Sequence, residues 1–173
     1  MKKKVLIIII MFMLISITGI TYSLYTNMLK KEVPISLASF SVGVERKETL
    51  DIDLSDLEPG SVNRYEFSVL NNTDENLSDV SVSYNIVLKT GNYIPLDIKL
   101  YDSSNNILFD SNEGTRTDNA LILKTDDIIM PYSKSVKNDY SLEVIFPEKY
   151  SGEEYSGLVD YINLTIDASQ KIN

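Results

Sequence analysis

The chain of 173 residues contains no cysteine, no histidine and no tryptophan, and only 7 glycines and 5 prolines. Each absence excludes something. Without cysteine no disulfide can support the fold. Without histidine the commonest general base and the commonest transition-metal ligand are missing, and no HExxH zinc-peptidase motif can be written. Positive charge is also scarce beyond the first residues. All 25 acidic residues lie after Ser23, against 13 of the 16 basic ones, so that part carries 13 − 25 = −12. A body of that charge does not bind nucleic acid or anionic lipid through bulk electrostatics.

The N-terminus is built differently. Lys2, Lys3 and Lys4 precede the apolar run Val5 to Ile20, and small or hydroxyl residues follow at Gly19, Thr21 and Ser23. Basic, apolar, then small is the order of a secretory signal. Thr21 and Ser23 would fill the −3 and −1 pockets of a signal peptidase, with the cut before Leu24. The competing expectation is an uncleaved membrane anchor, with Tyr22, Leu24 and Tyr25 extending an apolar run somewhat shorter than the roughly 20 residues a span requires. Either way the lysines keep the N-terminus inside and the body is exported. The chain therefore divides into a signal peptide or anchor at 1–23, a lead at 24–36 and a folded domain at 37–173.

In the domain, apolar residues recur with period two. Ala38, Phe40, Val42 and Val44 share one face, as do Leu50, Ile52 and Leu54, opposite Asp51 and Asp53. Pro59-Gly60 marks a turn, in which proline presets φ and glycine supplies positive φ. Tyr65, Phe67 and Val69 then alternate against Arg64, Glu66 and Ser68. Val80, Val82, Tyr84, Ile86 and Leu88 alternate against Ser81, Ser83 and Asn85. Leu96, Ile98 and Leu100 line the first arm of a hairpin around Ser103–Asn106. Tyr140, Leu142, Val144 and Phe146 follow, then Leu158, Ile162, Leu164 and Ile166, with Asp160 interrupting. Asn119 to Met130 is compatible with a strand or a helical turn. Strict alternation means one buried and one solvated face, which suits antiparallel sheets. Seven to nine such strands predict an all-β antiparallel sandwich of jelly-roll or Greek-key type, preceded by the hydrophobic signal or anchor helix.

Chemistry-bearing clusters are few. Asp51, Asp53 and Asp56 could offer oxygens to a hard cation such as Ca2+, but the glycine-containing EF-hand pattern is absent and a solvated acidic face accounts for them. Asp126-Asp127 and Glu153-Glu154 read as surface turns. Ser133-Lys134-Ser135 lacks the desolvated lysine that a serine–lysine dyad requires. Tyr65, Tyr84 and Tyr140 face inward, whereas Tyr132, Tyr150 and Tyr155 fall in loops, where tyrosine can make contacts. Asn71, Asn76 and Asn163 match short glycosylation sequons that arise by chance in an asparagine-rich chain. No enzyme, and no required cofactor, is expected.

The exit "TYSLYT" resembles the "TYA-Y-F-T" exit of proteins with SipW-dependent signal peptides. "IDLSDLEPGSVNRYEFSVLNNTDENLSDVSVSYNI", "IPLDIKLYD" and "YINLTIDASQ" are similar to segments of the TasA and camelysin family of biofilm-matrix and surface proteins. That resemblance implies a secreted or surface jelly-roll-like sandwich whose partners are copies of itself, other envelope or matrix proteins, and the signal peptidase. It also implies fibre formation by donation of an N-terminal strand, here within Leu24 to Ser36. A short tether makes pairing in cis with the chain's own sheet the dilute state. The alternative expectation is a membrane-anchored extracellular binding module for a cation or a polysaccharide.

Overall fold

The computed structural model describes residues 34–41, 46–55, 57–73, 76–77, 80–91, 94–117, 119–132, 134–155 and 161–171, all within one compact unit, Val33–Asn173. The expected signal or anchor, its cleavage residues Thr21, Ser23 and Leu24, and positions Val42, Val44, Asp56, Ser133, Leu158 and Asp160 lie outside the described residues.

Strands dominate: β1 (Pro34–Ser41), β2 (Arg46–Asp53), β3 (Val62–Leu70), β4 (Asn72–Thr73), β5 (Asn76–Leu77), β6 (Val82–Thr90), β7 (Asp97–Asp102), β8 (Ile107–Asp110), β9 (Thr115–Thr117), β10 (Ala120–Lys124), β11 (Ile128–Met130), β12 (Lys137–Ile145) and β13 (Tyr161–Gln170). Two single-turn 3-10 helices, Glu148–Tyr150 and Glu153–Tyr155, separate β12 from β13. One sheet has the order β1-β3-β12-β7-β8. The other runs β2-β13-β6-β10-β9, with β11 also paired to β6.

The pairs β2–β13, β3–β12, β6 with β10 and β11, and β7–β8 nest inside one another. The chain is thus a long hairpin doubled at the β7–β8 turn and wound across two sheets, which is the jelly roll. The expected sandwich is present, and its topology is the jelly-roll member of the two expected.

Alternation becomes layering. Tyr65, Phe67, Val69, Ile98, Leu100, Leu142 and Val144 from one sheet meet Ile52, Tyr84, Ile86, Leu88, Leu123, Ile162, Leu164 and Ile166 from the other in a single buried cluster. Phe40 packs edge-on to Phe67, with ring centroids 5.9 Å apart. The segment Asn119 to Met130 resolves into two strands along β6. At the break between them, Thr125 Oγ1 accepts the Ile86 N–H at 3.0 Å, and Thr125 N–H donates to the Ile86 carbonyl at 3.0 Å. A hydroxyl thus replaces a missing carbonyl in the ladder. Ser111 does the same for Ile98 at the end of β8.

Pro59 and Gly60 occupy the central positions of a turn closed by Ser61 N–H to the Glu58 carbonyl at 3.0 Å, with Gly60 at φ 87°. Positive φ at the third residue, after proline, is the type II arrangement.

One pairing departs from the antiparallel expectation. β1 runs parallel to β3, in register Pro34↔Arg64 through Ser41↔Leu70, with a shift between Ser36 and Ala38. β1 begins at Pro34, so the last three residues of the 24–36 lead are strand. Proline suits that position, since a strand's first residue need not donate to a ladder.

Candidate functional site

The outward face of the β1-β3-β12-β7-β8 sheet carries a groove of about 650 Å³, lined by side chains of β1, β3, β12 and β7 and by the β7–β8 turn. Cross-strand register arranges the outward side chains of this sheet in rows, of which the first borders the groove through Arg64 alone.

The first row is Arg64, Glu143, Lys99 and Asp110, on β3, β12, β7 and β8. Their charges alternate and pair. Arg64 Nη2 donates to Glu143 Oε2 at 2.6 Å, and Lys99 Nζ lies 3.5 Å from Asp110 Oδ2. The Asp110 carboxylate beside Lys99 holds its ammonium above its ordinary value. Opposite charges on directly facing positions favour the strand register they bridge. Tyr101 Oη donates to the second Glu143 oxygen at 3.3 Å, and burial, then Glu143, raises the phenol above its ordinary value.

The second row is Glu66, Ser141 and Tyr101. Among the described residues no hydrogen bond or ion pair engages the exposed Glu66 carboxylate, and Ser141 Oγ is buried without a partner. A buried hydroxyl left unsatisfied costs about 1–3 kcal/mol.

The third row is Ser39, Ser68 and Asp139. Ser68 Oγ donates to Asp139 Oδ1 at 2.7 Å, and Lys137 Nζ lies 2.7 Å from the same oxygen. Lys137, then Ser68, hold the Asp139 carboxyl below the usual carboxylate range.

The β7–β8 turn closes one end. Asp102 Oδ1 accepts the backbone N–H groups of Ser104 and Asn106 at 2.9 and 2.8 Å, and Oδ2 accepts Asn106 Nδ2 at 2.9 Å. These bonds, the Asn106 side-chain amide foremost, lower the Asp102 carboxyl below its ordinary value. Asn105 takes the left-handed conformation at φ 64°, which asparagine tolerates better than most residues.

The candidates from sequence fall elsewhere. Asp51 and Asp53 are both exposed on β2, on the outward face of the other sheet. Asp51 accepts a hydrogen bond from Asn163 Nδ2, and Asp53 Oδ1 accepts Ser55 N–H at 2.9 Å. Among the described residues no group of three or more acidic side chains gathers in a metal-holding arrangement. Lys134 and Ser135 are exposed.

Asn71 agrees with the dismissal of its sequon. It is only 2% exposed, and its Nδ2 donates to the Pro131 and Lys134 carbonyls at 2.8 and 3.0 Å, while Oδ1 accepts Val136 N–H at 2.8 Å. An amide so engaged cannot carry a glycan in the folded protein. Tyr150 and Tyr155 are half-buried against the core and each other, with centroids 5.4 Å apart, whereas Tyr132 is exposed.

The groove residues were visible in the sequence only as a solvated face. The signal that could have found them is the alternation of charge across β3, β12, β7 and β8, and it exists only once register is known.

The fold defines the class of this protein as a jelly-roll β-sandwich. No protein-family model matches the chain, and no curated protein does. Among solved structures it is similar to the pre-peptidase C-terminal domain of collagenase from Bacillus anthracis, with 13% identity over 80% of this chain and 98% of that one, at a TM-score of 0.40. It is also similar to PliG of Aeromonas hydrophila, a periplasmic lysozyme inhibitor of g-type lysozyme, with 8% identity over 79% and 100% of the chains, at a TM-score of 0.33. At those scores neither likeness bears on function.

Proposed function

We propose that this is an exported, non-catalytic protein of the cell surface or extracellular matrix that acts by self-association, exchanging β1 between copies. The observation that carries this reading is the pairing of β1. In a sheet whose other strands pair antiparallel, β1 alone lies parallel, at an edge, on the N-terminal side of the jelly roll. It reaches β2 through only four residues, 42–45.

An edge strand held by one neighbour can be supplied by another molecule with the same contacts. Lending β1 forward from each copy is head-to-tail and does not close, so the product is a filament. A four-residue tether gives the cis strand an effective concentration of about millimolar, so the dilute protein is a monomer.

Because the chain has no native cysteine, the test is clean. Ser39 and Ser68 are register partners, and a Ser39→Cys, Ser68→Cys pair would lock β1 in cis. The locked protein is expected to stay monomeric when concentrated and to assemble again on reduction. Filaments that form with the disulfide intact would eliminate β1 exchange.

A second reading, an extracellular binding module, is favoured by the groove and by the Glu66 carboxylate at its centre, which no hydrogen bond or ion pair engages among the described residues.

A further inference from the structure

We infer that a bulge built into β1 makes the strand exchangeable: residues 34–36 leave β3 first and open a landing edge at Arg64–Glu66, from which the β1 of a second copy displaces residues 38–41. The inference rests on β1 exchange as the mode of association, and it names how that exchange begins.

β1 is held in two unequal halves. Register pairs Pro34, Ile35 and Ser36 with Arg64, Tyr65 and Glu66, skips Leu37, and resumes with Ala38 to Ser41 opposite Phe67 to Leu70. An extra residue in one strand disrupts the ladder around it, and bulges are rare in parallel pairs. Parallel pairing is also slightly weaker per residue than antiparallel. The first half is the weaker one. It is short, it begins with a proline that brings no N–H, and as part of an edge strand it has only β3 beside it among the described strands. The second half is anchored. Phe40 is 5% exposed and belongs to the core cluster. Its ring lies edge-on to Phe67, whose own ring centroid is 5.4 Å from that of Tyr140. Opening the whole strand at once would bring Phe40 into water, whereas opening residues 34–36 leaves it covered.

The vacated edge keeps its shape. β3 pairs with β12 from Val62 to Leu70, and Arg64 Nη2 donates to Glu143 Oε2 at 2.6 Å. Arg64–Glu66 therefore stays extended when residues 34–36 leave, and offers unpaired N–H and C=O groups to an incoming strand. Pro34–Ser36 of a second copy fits that edge, because the edge holds the same three residues in cis. Pairing then advances through Ala38 to Ser41, one copy's Phe40 replacing the other's. The sequence gives the bulge its reason. Ile35 and Phe40 are five residues apart, a spacing that puts them on opposite faces of a regular strand. Leu37 is the extra residue that sets both opposite the core-facing positions Tyr65 and Val69.

The test is the rate at which the purified full chain captures a fluorescent peptide of the β1 sequence, PISLASFS, read by anisotropy. Deleting Leu37 from the protein keeps every register pair and removes only the bulge, so its own β1 should release less readily. Capture is expected to slow by roughly fivefold or more, the effect of about one restored ladder bond. Capture by the deletion variant at the parent's rate would overturn the inference. Should that variant fail to fold, amide hydrogen exchange in the parent decides instead. The better protected amide of Ile35 and Ser36 should be protected about tenfold less than the best protected of Ala38 to Ser41. Equal protection along β1 would overturn release in halves. No capture by the parent at any peptide concentration would overturn β1 exchange itself, and the landing edge with it.

Discussion

Asn71 shows what a single buried polar side chain can hold. It clamps Pro131, Lys134 and Val136 through three hydrogen bonds and so fixes the segment that leads into β12. Asn71→Leu would strand one N–H and two carbonyls and is expected to cost about 2–4 kcal/mol, seen as a lower urea midpoint at unchanged slope. A loss below about 0.5 kcal/mol would mean that water takes over all three bonds.

The tyrosine pair makes a different prediction. Tyr84 and Tyr140, from opposite sheets, share a 2.5 Å hydroxyl contact, and Asn138 Nδ2 donates to Tyr84 Oη at 2.8 Å. Burial raises both phenols above their ordinary value, most strongly Tyr140, whose neighbour Tyr84 adds to the effect. Both are neutral when protonated, and the unfolded phenols ionise near pH 10. Their contribution is therefore fully present below about pH 10 and is lost above it, by up to about 1.4 kcal/mol per pH unit for each tyrosine. Stability measured against pH should turn down above pH 10, and Tyr84→Phe/Tyr140→Phe should flatten that limb. An unchanged limb in the double variant would assign alkaline loss to other groups.

Within an element the decisive variable is register. In β6 the residues Val82, Tyr84, Ile86 and Leu88 are buried, while Ser83, Asn85 and Val87 are half-exposed. β3 likewise buries Phe67 beside the exposed Glu66. Phe67→Asp should place an unpaired charge among the core side chains and cost several kcal/mol, enough to unfold a domain of ordinary stability. Ser83→Asp should cost less than about 1 kcal/mol. Circular dichroism of the two variants decides the matter, since similar melting curves would contradict the register. The two sides of each strand were legible in the sequence because burial on a pleated strand is a local, period-two property. Ser111 and Thr125 were not, because nothing local shows that their hydroxyls complete ladders with Ile98 and Ile86.

For the whole molecule, the proposed function links export and assembly through the N-terminus. The lysines, the apolar run and the small residues Thr21 and Ser23 lead to cleavage before Leu24 in the proposed function. A phenylalanine in place of Ser23 should block the −1 pocket and leave a longer, membrane-bound precursor. Mass spectrometry of protein from its native host checks this directly, and a native protein that already begins at Met1 and pellets with membranes would favour the anchor. Edge strands are also a whole-molecule matter. β2 ends one sheet with Lys47 exposed, and β9 is a short strand, Thr115–Thr117, exposed along its length. Charge and shortness discourage unplanned pairing.

By itself the sequence determined that the domain is an all-β sandwich, which faces of β3, β6, β7, β12 and β13 line its core, where the Pro59-Gly60 turn falls and that the β7–β8 hairpin turns at Ser103–Asn106, whereas Leu121, Leu123 and Met130 of β10 and β11 were left undecided. Each follows from side-chain alternation or turn chemistry within a few residues. Only the tertiary structure decided the parallel seat of β1, the clamp at Asn71 and the rows of the groove. Arg64 meets Glu143, and Glu66 meets Ser141, across more than seventy residues of chain. Such meetings depend on which strands become neighbours, and that choice is made by burying two whole sheets against each other rather than by any short stretch.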